Sequence, residues 1–152
     1  MRTGYPTVGR TVFATLFAVC LTLAGCKSGT ISNSEQACKS TGGLFADAEV
    51  TCTGSVGTVR GEPSLGIIDT GEDLSGNYEL DATITTGKGE AKAYVSTADG
   101  GKAGGKVSSG RPLRIGAVIG LSETDDEVSL NLKVLGKEVK GLRYKATVLP
   151  QQ

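Results

Sequence analysis

From residue 61 onward, apolar and polar residues alternate with a period of two. Tyr78, Leu80, Ala82 and Ile84 alternate with Glu79, Asp81, Thr83 and Thr85. Leu113, Ile115, Ala117, Ile119 and Leu121 alternate with Arg114, Gly116, Val118 and Gly120. Val128, Leu130, Leu132 and Val134 form a third such set, and Leu142, Tyr144, Ala146 and Val148 a fourth. Ala91, Ala93 and Val95 form a weaker one against Lys92 and Tyr94. This is the pattern of strands that bury one face. Turn-forming stretches separate them: "TGKG", "ADGG", "SSGRP", "SETDDE" and "LGKE". No helix-period segment appears after residue 60, so crossover helices and a parallel sheet are not expected.

The spacing predicts about seven strands, near 65–69, 78–85, 90–97, 102–108, 113–121, 127–135 and 142–149. The fold class is therefore all-β: an antiparallel β-sandwich, with a jelly-roll order among its arrangements. "KAGGKVS" at 102–108 has little to bury and belongs at an edge. Pro112 opens a strand, where its missing N–H costs least. Between Val134 and Leu142 the alternation slips phase around Gly136 and Gly141, which predicts a bulge or a wide turn.

The N-terminal third has a different pattern. Residues 1–10 carry Arg2 and Arg10 and no acid, and "TVFATLFAVCLTL" at 11–23 carries no charge. A basic region before a short apolar run is the layout of an export signal. The run is shorter than the roughly 20 apolar residues of a spanning helix.

The run ends in Leu23-Ala24-Gly25-Cys26, which resembles the lipobox of bacterial lipoprotein precursors. The resemblance implies cleavage between Gly25 and Cys26, removal of residues 1–25 and acylation of the Cys26 thiol. The lipid bilayer would then be a partner through Cys26. Each buried CH₂ adds about 0.8 kcal/mol, so two chains anchor stably where one is marginal. Lys27 stands where an aspartate would resemble an inner-membrane retention signal, which leans towards the outer membrane of a diderm host.

Four cysteines are present. With Cys20 in the signal and Cys26 acylated, Cys38 and Cys52 remain, and an exported chain meets an oxidising compartment. A Cys38–Cys52 bridge is expected, closing a loop worth about 3 kcal/mol of chain entropy. A zinc site is the competing reading, but two thiolates without histidine make half of one. "KSGTISNS" is polar and suits a tether over 26–37. Asn33 or Ser34 can cap a short helical turn through Glu35–Lys39, and Gly42-Gly43 stops it. Leu44-Phe45-Ala46 and Val50-Thr51-Cys52 read as two short extended pieces. The expected organisation is thus a signal at 1–25, a tether at 26–37, a disulfide clasp at 38–60 and the sandwich at 61–152. The segments "YELDATITTGKGEAKAYVSTADGG", "VSSGRPLRIGAVIGL" and "VSLNLKVLGKEVKGLRYKATV" together resemble, in pattern and turn placement, small bacterial lipoproteins that carry one β-sandwich.

Composition narrows the chemistry. Acidic and basic residues balance at 16 each, which gives no reason to expect a nucleic-acid partner. There is no histidine, so the commonest general base and metal ligand is missing. Asp69, Glu72 and Asp73, with Glu79 and Asp81 nearby, are calcium candidates, although not at EF-hand spacing. The competing reading is a solvated turn and the outer face of a strand. Glu123, Asp125, Asp126 and Glu127 read as a hydrated hairpin tip. Tyr78 and Tyr144 fall on inward faces, and Tyr94 falls on a polar one. "GKGEAK" and "GGKAGGK" lack Walker spacing and read as turns.

No catalytic residue and no cofactor is expected. The sequence points to a lipid-anchored, non-enzymatic binding or structural module with an envelope protein or glycan as partner. A calcium- or glycan-binding surface module is the alternative, and a small envelope hydrolase comes third.

Overall fold

The computed structural model describes residues 29–41, 49–69, 75–122 and 127–151. Among them are eight strands and no helix: β1 (Gly29–Thr41), β2 (Glu49–Gly61), β3 (Ser64–Asp69), β4 (Gly76–Thr85), β5 (Lys88–Ser96), β6 (Lys102–Ser108), β7 (Leu113–Leu121) and β8 (Glu127–Pro150).

All strand pairs are antiparallel, and β8 links two layers. Its last part pairs with β2 and β4, giving a layer ordered β1-β2-β8-β4-β7. Its first part pairs with β3 and β5, and β5 with β6, giving a layer ordered β3-β8-β5-β6. The change of layer is a bulge. Leu135 lies opposite Glu90 and Lys140 opposite Lys88, so β8 gains residues that β5 does not match. Gly136 (φ 112°) and Gly141 (φ 62°) flank it. The expected strands 127–135 and 142–149 are thus one strand of 24 residues, and the phase slip is the bulge that bends it. The segment expected at an edge, 102–108, is β6, which pairs only with β5.

The N-terminal expectations need correction. Residues 29–37 are not a tether, and Glu35–Lys39 is not a helical turn; both belong to β1. This segment has no apolar stripe to bury as a helix, and all its residues except Ile31 are exposed. Pairing along β2, from Gly29 opposite Gly61 to Thr41 opposite Glu49, satisfies its backbone instead. Nor are residues 49–60 set apart from the sandwich, because β2 pairs with β8 from Val50–Val148 to Val59–Val139. Val50, Cys52, Val56 and Val59 of β2 are buried in the common core. The Cys38–Cys52 disulfide is present and staples exposed β1 to buried β2. Leu44-Phe45-Ala46 lies outside the described residues.

The two inner faces close one core, which includes Ile67, Ile84, Ile115, Leu130 and Leu142. Tyr78 and Tyr144 are buried as the alternation predicts. The Tyr144 ring lies over Gly54, where a side chain would overlap it. Its phenol donates to the Gly66 carbonyl at 3.3 Å, tying β8 to β3.

The bulge is also held electrostatically. Arg60 Nε and Nη2 donate to Glu138 Oε2 at 3.1 and 2.8 Å, and Lys140 Nζ lies 3.1 Å from Oε1. Arg60, then Lys140, pull the Glu138 carboxyl from 4.5 to about 2. A depressed carboxyl pKa stabilises the fold fully above the unfolded value and loses this as pH falls through the folded one. The melting-temperature difference between wild type and Glu138→Gln should therefore be constant above about pH 4.5 and vanish towards pH 2. Thermal melts of both proteins across that range check it.

Candidate binding face

The outer face of the five-stranded layer carries a trough built by register. On β4, Glu79 lies between Val118 of β7 and Leu149 of β8, and Asp81 between Gly116 and Thr147. Alternation sends these side chains outward while Leu80 and Ala82 fill the core. Glycine at 116 leaves the floor low, since a side chain there would meet nothing within 4 Å. The resulting depression has a volume of about 640 Å³ and is lined by Glu79, Asp81, Gly116, Val118 and Leu149. Leu149 is the large apolar side chain that stands out on this surface, 41% exposed. The trough thus offers two acceptor carboxylates beside two apolar contacts.

The expected calcium cluster is not assembled among the described residues. Asp69 ends β3 opposite Glu127, whereas Glu79 and Asp81 face outward from the other layer. Glu72 and Asp73 lie outside the described residues, as do Gly25 and Cys26. No group of three or more acidic or cysteine side chains converges among the described residues. Tyr94 does face outward, but it is half-buried, and Lys102 Nζ stands 4.7 Å from its ring centre. The ring is a seat for that ammonium rather than an open platform.

Sequence reasoning passed over Val118 and Leu149 as binding residues. The signal was there: each is apolar at a position where its strand's alternation demands a polar residue.

Among the described residues, the carboxyls of Asp99 and Glu138 are held below the usual carboxylate range. Asp99 is lowered by the Thr97 hydroxyl that donates to it and then by the Gly101 amide at 3.0 Å. Glu138 is lowered by its two cations. The Tyr144 phenol is pushed up by burial and is engaged with Gly66.

No family model matches the sequence, and no curated protein matches it. Among solved structures, the chain is similar to procruciferin, an 11S globulin from Brassica napus (15% identity, TM-score 0.33, covering 67% of this chain and 20% of that one). It is also similar to a Clostridium thermocellum xylanase fragment joining a carbohydrate-binding and a catalytic module, complexed with xylohexaose (10% identity, TM-score 0.37, covering 82% and 26%). A third is the family 11 carbohydrate-binding module of the same organism, in complex with a mixed-linked tetrasaccharide (10% identity, TM-score 0.32, covering 80% and 87%). The chain spans about a fifth of the length of the seed globulins it matches. At these scores the likenesses carry no argument about ligand or activity.

Proposed function

We propose that this chain is a lipid-anchored, non-enzymatic binding module of the bacterial cell envelope, and that its ligand is an uncharged polysaccharide strand lying in the Glu79–Asp81 trough. The trough itself carries the reading. Its two carboxylates sit two residues apart on one strand, about 7 Å along it. They can accept hydrogen bonds from successive sugar hydroxyls, and Val118 and Leu149 offer apolar contact to the C–H faces. The same carboxylates would repel an acidic glycan. The lipid anchor rests on the Leu23-Ala24-Gly25-Cys26 motif and on the export layout before it.

Affinity electrophoresis through gels containing neutral β-glucans, xylan or mannan tests the ligand. Retardation by at least one of them is expected. Glu79→Ala and Asp81→Ala should each weaken it about tenfold, as fits the loss of a hydrogen bond to a charged group. Unchanged migration through every neutral polysaccharide would contradict the reading.

A further inference from the structure

The two ends of the sandwich carry opposite charge. The chain enters β1 at Gly29, which seats against Pro63 of the β2–β3 turn. The β4–β5 turn, the β6–β7 turn and the β8 bulge lie at that same end, because neighbouring strands are antiparallel. Lys88, Arg111, Arg114, Lys137 and Arg143 stand exposed there and make no ion pair among the described residues. Arg60 and Lys140 share a single acid, Glu138. Glu62 is paired with Lys133.

The far end is acidic. Asp69, Asp99 and Glu127 are exposed there, against two lysines, Lys39 and Lys102. In the sequence, the stretches 42–48, 70–74 and 123–126 contain acids and neither lysine nor arginine.

We infer that the basic end is a membrane-docking surface, on which the domain rests against anionic lipid headgroups with its acidic end pointing away. The inference rests on the proposed anchor at Cys26. Only Lys27 and Ser28 separate that residue from β1. Three residue steps span about 10 Å at full extension. That is close to the Debye length of about 8 Å at physiological salt, so the cations lie within range of the bilayer's surface potential. A short tether alone would leave the domain's tilt free. The charge polarity gives the tilt a sign, because turning the acidic end down would be repelled. In this pose the trough on the side of the sandwich stays accessible.

The test uses the full chain produced in a bacterium that acylates lipoproteins, reconstituted in vesicles of phosphatidylcholine alone or mixed equally with phosphatidylglycerol. Lysine acetylation is then read by mass spectrometry. Lys88, Lys137 and Lys140 should react about fivefold more slowly on the anionic vesicles, the factor expected of one headgroup contact per cation. Lys102 at the far end should not change, and high salt should remove the protection. The triple substitution Lys88→Glu, Arg111→Glu and Lys137→Glu should remove it at Lys140 as well. Equal labelling of acylated protein on both vesicles overturns the inference while leaving the anchor intact. Protection by a soluble polyuronate, with none from anionic vesicles, overturns it in favour of an acidic glycan.

The mass of the N-terminal peptide reports the anchor separately. If acyl chains are absent, the anchor fails, and docking is then judged by co-sedimentation of the unacylated protein. Sedimentation with anionic but not neutral vesicles supports it, and sedimentation with neither overturns it.

Discussion

Alanine at Gly89 is expected to cost about 3 kcal/mol of unfolding free energy, through backbone strain and a clash that add. Gly89 has φ +88°, a region that L side chains rarely enter. A side-chain carbon there would stand 2.5 Å from the Glu138 carbonyl oxygen and 3.1 Å from Val139 Cα. Both contacts are backbone, at the bulge where β8 changes layer, so relief would have to move β5 away from β8. Gly87 already ties this corner, donating to the carbonyls of Lys140 and Gly141 at 3.0 and 3.1 Å. Gly100 is the control. Its φ is +83°, but a side chain there meets nothing within 4 Å, so Gly100→Ala should cost only about 1 kcal/mol of strain. Urea unfolding of both variants separates the two terms. Equal costs would mean that the β5–β8 crossing tolerates displacement.

What the sequence disclosed follows from what each strand buries. β4, β7 and both halves of β8 each present one face to the core, so their alternation was readable residue by residue. β1 could not be found this way. Nearly all its side chains are exposed, and it is a strand only because β2 lies beside it. A polar stretch with Asn33 and Ser34 in front of it then resembles a capped turn. In the structure Asn33 does adopt a left-handed conformation (φ 53°), but within the strand. The trough was half legible. Val118 and Leu149 are out of phase in their own strands, yet only the β7-β4-β8 order brings them to either side of Glu79. The charge polarity was present in the turns. "TGKG", "SSGRP" and "LGKE" each carry a base, whereas "ADGG" carries an acid and "SETDDE" several. Antiparallel neighbours send alternate turns to opposite ends, which converts an alternation along the chain into a separation in space.

Replacing Cys26 with serine should have the largest effect of all, abolishing membrane association and removal of residues 1–25 together. Serine has no thiol to acylate, and the cleavage of a lipoprotein signal follows acylation. Two acyl chains hold a protein stably in a bilayer, at about 0.8 kcal/mol per buried CH₂. The cations at the basic end cannot substitute for that, because their attraction is screened by salt. The variant should leave the described fold unchanged, since the fully buried core begins at Val50 of β2. Circular dichroism and urea unfolding check that the loss is one of attachment.

How the domain is held matters most, since the proposed docking pose starts from the anchor at Cys26. The direct measurement is the mass of the N-terminal peptide of the wild-type protein recovered from the envelope fraction. A chain beginning at Cys26 and carrying a diacylglyceryl group on its sulfur is expected. An unmodified Cys26 in a chain that keeps residues 1–25, or one released to the soluble fraction, would contradict it.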